Sequence, residues 1–358
     1  MLRTDQGKAG HPGMKERYMH KRILLAALVA IACTGSRVQA DEAPSTSVGG
    51  LMFVDLTGIR AQDNGSDVDP TGYGVDVKRF YITVIHSFDD TWSANFTTDF
   101  NYTSATGETQ LFAKKAYLQQ HISDAATLRY GAAEMPWIPY VEGFYGYRFV
   151  EKTLDDRLGM GNTVDWGVHF LGHAGRANYA ASIVNGGSYK NPSRSKAMDG
   201  EGRVGFSPVD GLTLALGYYT GKLGQDTETV PAANTASRAD FLAVWKASGV
   251  TAGAEWFNAD NFSKAAITGP AGDKADGYSL FGSYDFPDTA WSLFARYDSA
   301  KPSKDLAPAE KDKYWNLGFA WKISGNLTWA LAYKREELSN TGGELKNEEL
   351  GIWGQVKF

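Results

Sequence analysis

The chain has 358 residues, of which 43% are hydrophobic, 22% charged and 13% aromatic, with one cysteine and a formal net charge of −5. This composition excludes collagen, coiled coils and disulfide-held miniproteins, and so many aromatic residues exclude a disordered chain. The mean hydropathy is −0.34 and the only apolar run is 23–32. These values exclude a bundle of membrane helices, because each helix needs ~20 apolar residues.

Residues 1–40 have the pattern of a secretory signal peptide. Four basic residues precede the apolar run, and the small residues Val38 and Ala40 precede the expected cleavage site. The first eighteen residues indicate an over-long start, with Met19 or Met14 as the expected initiator. A lipoprotein signal acylated at Cys33 is an alternative, although the usual leucine three residues upstream is absent.

Removal of residues 1–40 changes the charge of the remaining chain. Seven basic and two acidic residues leave with this segment, so the net charge from residue 41 onward is −10, and no cysteine remains. An acidic chain lacks the basic surface that nucleic-acid binding requires. Neither a disulfide framework nor thiol chemistry is then possible.

Strict alternation of apolar and polar residues predicts membrane-spanning strands. In residues 92–102 every second residue faces one side, and eleven residues suffice for a tilted strand to cross a bilayer. Similar runs recur through the chain, with Trp and Tyr near their ends, as in the aromatic girdles of membrane barrels. They include residues 166–170, 212–218, 241–245, 278–284, 291–297, 315–323 and 327–333.

Short and long connections alternate between these runs. The short turns are 89–91, 123–126, 173–176, 208–211, 248–249, 287–289 and 324–326. The long polar loops are 60–72, 103–109, 134–162, 185–200, 222–237, 259–276, 299–313 and 337–346. This rhythm predicts an all-β fold, a closed antiparallel transmembrane β-barrel of about sixteen strands in residues 41–358, with short periplasmic turns and long extracellular loops. The final residue, Phe358, closes an amphipathic strand and resembles the signal read by the β-barrel assembly machinery.

Six segments resemble the phosphate-selective porin O and P family. They are RFYITVIHSFDDTWSANFTTDF (79–100), AYLQQ (116–120), LRYG (128–131), FVEKTL (149–154), DWGVHFLG (165–172) and ASIVNGG (181–187). The resemblance covers roughly the first half of the barrel and implies a trimeric, sixteen-stranded channel. It also implies that the third extracellular loop, residues 134–162, folds into the lumen and narrows it.

Two departures from the family pattern concern the solute. Val164 stands where the family usually has Arg before the DxGV tetrad, and Glu151-Lys152 replaces a Glu-Arg pair. The basic rows that give the family its anion selectivity are not matched residue by residue. Phosphate therefore does not carry over from the resemblance, and the preference between cations and anions stays open.

Strand parity predicts which charged residues line the channel. Over all strands, the inward-facing basic and acidic residues nearly balance, with eight of each, and the acidic ones include Asp240, Asp285, Asp298, Glu336 and Glu349. The Lys114-Lys115 pair should place one lysine outward unless it lies near the rim. The lining candidates are Arg79, Asp99, Lys115, Arg129, Asp165, Arg203, Lys246, Glu255, Arg296, Lys322 and Lys334.

The third loop combines aromatic bulk with opposed charges. Folded inside, it would set the narrowest cross-section of the channel. An extracellular lid that packs on itself is the alternative. The constriction candidates are Trp137, Tyr140, Glu142, Tyr145, Arg148, Glu151, Lys152 and Arg157.

Catalytic and metal motifs are absent from the sequence. There is no GxSxG, HExxH or Walker loop, and Gly159-Met160-Gly161 lacks the third glycine of a dinucleotide fingerprint. His169 and His173 fall on a strand and its turn, and Asp63, Asp67 and Asp69 lack a closing glutamate, so we expect no metal and no cofactor.

These observations predict a passive porin in the outer membrane of a Gram-negative bacterium. Its solutes would be small hydrophilic molecules or ions, phosphate-like anions among them, and its partners would be outer-membrane lipid, lipopolysaccharide and two further copies of the chain. A carbohydrate- or organic-acid-selective porin is the nearest alternative, because aromatic platforms suit sugar rings. A closed-lumen receptor or structural barrel and a barrel hydrolase are alternatives of other classes.

Overall fold

A computed structural model of the chain describes residues 43–103 and 108–358, without the side chains of residues 101–103 and 108. The predicted signal peptide and the tip of the loop 103–109 lie outside these residues. The described strands are β1 (Ser45–Asp63), β2 (Ser66–Ser87), β3 (Trp92–Thr103), β4 (Glu108–Ser123), β5 (Ala126–Glu134), β6 (Val164–Ala174), β7 (Ala177–Val184), β8 (Asp199–Phe206), β9 (Leu212–Gly221), β10 (Ala236–Ala247), β11 (Val250–Asp260), β12 (Lys274–Asp285), β13 (Trp291–Lys301), β14 (Lys311–Ser324), β15 (Leu327–Asn340) and β16 (Gly343–Lys357).

The strands form one closed antiparallel barrel in sequence order. Each strand pairs with its neighbours along the chain, and β1 pairs with β16 from Leu51 opposite Lys357 to Asp63 opposite Leu345. This confirms the predicted sixteen-stranded closed barrel. Closure satisfies the backbone hydrogen-bonding groups that an open sheet edge would expose to lipid.

The alternation in sequence appears as alternation in exposure. On β13, Trp291, Leu293 and Tyr297 are exposed on the outer face, whereas Phe294 and Arg296 are buried on the inner face. The outer face is therefore apolar, and the inner face carries the charged residues. This is the arrangement expected when the outside of a barrel meets lipid and the inside is polar.

Phe358 closes the seam between the first and last strands. Its backbone exchanges two hydrogen bonds with Gly50, of 2.6 and 3.1 Å, and its ring lies 6.0 Å from that of Phe80. A Cβ at Gly50 would lie 2.1 Å from the ring, so glycine leaves the space that the terminal aromatic side chain occupies.

Two of the predicted long loops are instead strands joined by tight turns. β1 and β2 turn at Asn64-Gly65, where both residues have positive φ (50° and 82°), and β15 and β16 turn at 341–342. An Asn-Gly pair in this conformation fits a two-residue hairpin. The sequence pattern predicts loops at 60–72 and 337–346 because these residues are polar. A paired strand that extends beyond the apolar band can be polar on both faces, so polarity does not exclude a strand there.

Three short helices complete the described structure. α1 (Ile138–Tyr145) and α2 (Leu154–Arg157) lie between β5 and β6, and α3 (Lys264–Thr268) lies between β11 and β12. α1 begins beside Pro139 and ends at Gly146, whose φ of 77° terminates the helix in the left-handed conformation. Among the described residues, no helix is long and apolar enough to cross a membrane.

Candidate functional site

The third loop (134–162) lies inside the barrel, against the inner wall. Ile138 and Tyr145 of α1 are buried in a cluster with Leu242 of β10 and Phe281 of β12. Further along the loop, Phe149 and Val150 pack against Phe53, Phe294 and Trp353. The loop thus covers the inner face of the wall from β9 round to β1.

Trp137 anchors the beginning of the loop. Its side chain has no exposed surface, and its Nε1 donates a hydrogen bond to Oε1 of Glu255 on β11 (3.2 Å). On β9, a Cβ at Gly217 would lie 2.6 Å from the Trp137 ring. Glycine at that position therefore permits the close approach of the indole to the wall.

Arg157 anchors the end of the loop. Its guanidinium pairs with Asp298 of β13 (3.2 Å), Asp312 of β14 (2.5 Å) and Glu336 of β15 (2.5 Å). Burial alone would lower the pKa of Arg157, but these carboxylates raise it above its ordinary value, so the side chain stays charged. One cation thereby connects α2 to three adjacent strands.

The pKa values of two buried carboxyl groups in the loop shift in opposite directions. The pKa of Asp155 is well above its ordinary value because burial outweighs the attraction of Arg238, 3.4 Å away. Burial also favours the neutral form of Glu151, but Lys334 at 3.1 Å and the backbone N–H of Lys152 lower its pKa below the ordinary value.

The space left open lies between the loop and the wall of β1–β4. A cavity of about 680 Å³ is bounded by β1–β5, the third loop and the end of β16. A second cavity of about 350 Å³ is bounded by β1, β2, residues 148–152 and the β15–β16 wall. Phe53 and Arg148 border both cavities, so these two side chains lie where the cavities approach each other.

Charged side chains from the loop and the wall face these cavities. Arg148 pairs with Glu142 and lies 3.8 Å from Asp156, which is also 3.8 Å from Lys152. On the wall, Lys115 pairs with Glu134.

A β-bulge on β2 turns two adjacent basic residues to the same side. The pairing of β1 with β2 skips Lys78, between Phe53 opposite Arg79 and Val54 opposite Val77. Lys78 then lies 3.3 Å from the buried Asp55, while Arg79 lies 4.0 Å from the buried Asp99.

A second bulge corrects the prediction for Lys114 and Lys115. The pairing of β3 with β4 skips Lys114, because Thr97 is opposite Lys115 and Thr98 is opposite Ala113. Lys114 is buried and donates a hydrogen bond to the Tyr81 hydroxyl (2.6 Å), and both lysines border the larger cavity. The extra residue of a bulge removes the strict alternation on which the expectation rested.

Several predicted lining residues contact the loop instead of open space. Arg203 donates to the Pro136 carbonyl (2.9 Å) and lies over the Tyr140 ring, 3.6 Å from its centroid. Arg296 donates to the Lys152 carbonyl and pairs with Asp298. These two residues and Glu255 face inward, but the third loop covers them.

The other predicted lining residues occupy varied positions. Asp165 accepts hydrogen bonds from the backbone N–H of Trp166 (2.7 Å) and Ser188 (3.0 Å). Arg129 pairs with Glu134 (2.9 Å). The remaining three are Lys246 and Lys322, exposed near the short turns, and Lys334, which pairs with Glu349 (2.5 Å) as well as with Glu151.

One serine and one histidine do meet inside the wall. Nδ1 of His169 lies 2.8 Å from Oγ of Ser182, and both side chains are almost fully buried. The other ring nitrogen lies 3.3 Å from the Gly131 carbonyl rather than near a carboxylate. In the part of the chain that the structure describes, no three His, Cys, Asp or Glu side chains are placed to hold a metal ion.

The chain is a closed sixteen-stranded barrel with a loop folded against its inner wall, and comparison with solved structures supports the barrel fold. An anion-selective porin from Comamonas acidovorans matches with a TM-score of 0.63 at 11% identity, covering 88% of this chain and 100% of that one. OmpF of Salmonella typhi in complex with daunomycin matches with a TM-score of 0.63 at 14% identity, covering 87% and 97%. OmpT, an outer-membrane protein of Vibrio cholerae, matches with a TM-score of 0.61 at 14% identity, covering 90% and 100%.

These likenesses support the fold and do not single out the phosphate-selective O and P group. No family model matches the sequence, and no curated protein matches it either. The resemblance of residues 79–187 to that group stays a prediction.

Proposed function

We propose that this chain is an outer-membrane porin of a Gram-negative bacterium, a water-filled channel for passive diffusion of small hydrophilic solutes. The observation that carries the proposal is the pair of charged cavities between the third loop and the β1–β4 wall, inside a closed barrel with an apolar outer face. Such a lumen needs no cofactor and no chemical step, because the solute gradient drives the flux.

Small anions, phosphate-like ions and organic acids included, are the solutes that the charges favour. Lys78 and Lys152 on the smaller cavity are 41% and 42% exposed, whereas Asp55 beside Lys78 is buried and Asp156 beside Lys152 is 13% exposed. Asp76, also 3.3 Å from Lys78, is an exposed carboxylate, but it is not among the residues that line this cavity. Accessible positive charge inside a low-dielectric wall raises the local concentration of anions. The neighbour from Comamonas, described as anion-selective, supports the same preference.

A preference for neutral sugars has less support. Sugar recognition through aromatic platforms requires exposed rings, but Trp137 and Tyr145 of the third loop are buried against the wall. These two side chains pack between the loop and the wall and do not face the cavities.

A barrel hydrolase is the alternative function that a Ser–His pair such as Ser182 and His169 would favour. Hydrolysis requires an accessible nucleophile and a base that a third group orients. Ser182 and His169 are buried, and Nε2 of His169 faces a backbone carbonyl. A receptor with a closed lumen is disfavoured by the two cavities beside Arg148.

The proposed partners are outer-membrane lipid, lipopolysaccharide, the β-barrel assembly machinery, which would read Phe358, and two further copies of the chain. A homotrimer is supported by the outer half of β2, where Tyr73 is 96% exposed and pairing with β3 is confined to Thr83–Ser87. A free strand edge and an exposed apolar face favour contact with another subunit.

Liposome swelling tests the proposed function. Proteoliposomes containing the folded chain should swell in isotonic solutions of small sugars and amino acids, with rates that fall as solute size increases. Equal protein that has been boiled before reconstitution is the control. Folded protein that gives no swelling above protein-free liposomes would contradict a diffusion channel.

A further inference from the structure

A further cavity lies at the end of the barrel that carries the long loops. It has a volume of about 330 Å³ and is lined by residues within 159–162, 186–188, 223–225 and 262–264, four separate connections, together with Tyr219 of β9. It shares no lining residue with the two cavities beside Arg148. The proposed diffusion path therefore leaves this cavity, called here the mouth cavity, without a role.

The walls of the mouth cavity are polar but nearly uncharged. They carry two side-chain amides, Asn162 and Gln225, and two serine hydroxyls, Ser188 and Ser263. Among the lining residues of the described chain, Lys264 is the one charged residue, it is exposed, and there is no carboxylate. A charged ligand would gain at most one exposed ion pair, which contributes little. A neutral ligand with several hydroxyl groups would instead meet donors and acceptors on different sides.

These polar groups keep hydrogen-bonding capacity for a ligand. Asn162 donates through Nδ2 to Asp165 (3.3 Å), and Gln225 donates through Nε2 to the Leu223 carbonyl (3.2 Å). The side-chain carbonyl oxygens of both amides accept no hydrogen bond from the described residues. Ser263 accepts from a backbone N–H of α3 (3.2 Å), so its O–H is free to donate.

Phe262 provides an aromatic surface beside these groups. Its ring lies 5.1 Å from the Tyr219 ring, edge to face, and 5.5 Å from the Arg238 guanidinium, and its remaining surface borders the mouth cavity. The C–H face of a pyranose ring is apolar and packs on aromatic rings, while the edge of the sugar carries hydroxyl groups. An amino acid would need a carboxylate as well as a cation. The combination of ring, amides and hydroxyls therefore favours a sugar.

The walls of the mouth cavity are held in a defined shape. Ser188 and Leu223 have positive φ, 65° and 51°, a conformation that residues with side chains rarely adopt. Buried carboxylates fix both segments, because Asp165 accepts the N–H of Ser188 (3.0 Å) and Asp199 accepts that of Lys222 (2.7 Å). A cavity that is already formed loses little conformational freedom when a ligand binds.

We infer that the mouth cavity binds a neutral pyranose sugar, either free or as a unit of a longer glycan. The volume lies at the lower end of the range for small-molecule pockets, which suits a mono- or disaccharide. The inference goes beyond the proposed function, because binding at the mouth requires neither permeation nor a preference among the solutes in the channel.

Saturation-transfer difference NMR tests the inference on folded protein in micelles of an amine-oxide detergent, which carries no sugar. The probes are maltose, soluble amylose and glucuronate. Phe262→Leu/Gln225→Ala removes the ring and one amide but keeps an apolar side chain in the core. Gln225→Trp, a single change in a loop, fills the cavity and serves as an independent variant. Phe286→Leu/Gln62→Ala makes the same two substitutions away from the cavity and is the matched control.

The double variant should raise the Kd for maltose at least about tenfold, because it loses a ring contact and a hydrogen bond. The filled variant should lose the maltose signal, and the control should stay within about twofold of the wild type. Amylose that binds as maltose does would identify a glycan chain as the ligand, and maltose without amylose a free sugar.

Three results would overturn the inference: no maltose signal from the wild type, tighter binding of glucuronate than of maltose, or a Gln225→Trp variant that binds as the wild type does. Maltose binding by protein that gives no liposome swelling would instead count against the proposed function alone.

Discussion

Two pairs of adjacent basic residues border the open space between the third loop and the wall. Lys78-Arg79 and Lys114-Lys115 each lie at a bulge, which brings both members to the inner face. Strand parity identified Arg79 and Lys115 but assigned at most one of each pair to the lumen. Two adjacent charged residues within an alternating strand could have indicated each bulge from sequence. Both side chains can avoid lipid only if the alternation is broken between them.

The exposed lysines on the smaller cavity predict the sign of selectivity. The double change Lys78→Gln/Lys152→Gln removes the two most accessible cations there. In a planar bilayer with a salt gradient, the reversal potential should shift toward cation preference, because the excess of cations over carboxylates that line this cavity falls from five against two to three against two.

Two outer-face lysines provide the control for this change. Lys301→Gln/Lys313→Gln alters the total charge equally, but these side chains lie on the lipid-facing side of β13 and β14. Its reversal potential should match the wild type. Equal shifts in the two variants would mean that net charge, and not the residues facing the cavity, sets the selectivity.

At the scale of the element, the third loop is held by two kinds of contact. Its first half is attached by apolar burial around Trp137, Ile138 and Tyr145. Its second half combines the packing of Phe149 and Val150 against the wall with the ion pairs of Arg157. The position of the loop was expected from the family resemblance. The ion pairs were not, because the partners of Arg157 are 141 to 179 residues away in sequence and only barrel closure brings them together.

Loss of Arg157 should release the second half of the loop. Arg157→Gln leaves Asp298, Asp312 and Glu336 without their shared cation, and breaking such a buried network costs about 3–5 kcal/mol. We expect noisier single-channel currents and a larger mean conductance than in the wild type. Arg176→Gln, which breaks the exposed pair with Asp210, is the matched control and should change neither. Quiet, unchanged currents from the Arg157 variant would show that this anchor does not position the loop.

Acidity should weaken the anchor at Glu151. Its pKa is below the ordinary value because Lys334 and nearby donors outweigh the effect of burial. The resulting stability is present above the unfolded value of about 4.3 and is lost as the pH falls through the lower folded value.

The difference in free energy of unfolding between wild type and Glu151→Gln should therefore shrink as the pH is lowered from 7 toward 3. Thermal unfolding followed at several pH values measures this difference. Asp155, whose raised pKa has the opposite effect on stability, is present in both proteins and cancels. A difference in free energy of unfolding that stays constant over this pH range would show that an ion pair of Glu151 does not stabilise the loop.

For the whole molecule, the architecture could be predicted because period-two alternation is set by the two solvents that a barrel separates. Sixteen strands and closure followed from counting alternating runs and turns. The ends of strands could not be placed: residues 60–72 and 337–346 are polar and paired, and polarity alone does not distinguish a strand in water from a loop.

The proposed trimer predicts a local effect at the exposed edge of β2. Tyr73→Asp should convert the oligomer to monomer on mild-detergent gels, because a buried charge would weaken contact between subunits. Tyr218→Asp places the same charge on the exposed outer face of β9, on another part of the barrel, and should leave the oligomer intact. If both variants retain the oligomer, this edge of β2 is not the subunit interface.

The most direct test of the account is the single-channel conductance of the folded wild-type chain in a planar lipid bilayer. If the proposed water-filled path runs beside Arg148, the closed barrel should give discrete steps of uniform size that increase in proportion to the conductivity of the bathing salt. Folded protein that inserts into the bilayer and gives no steps, or steps that do not follow the bulk conductivity, would contradict the central claim.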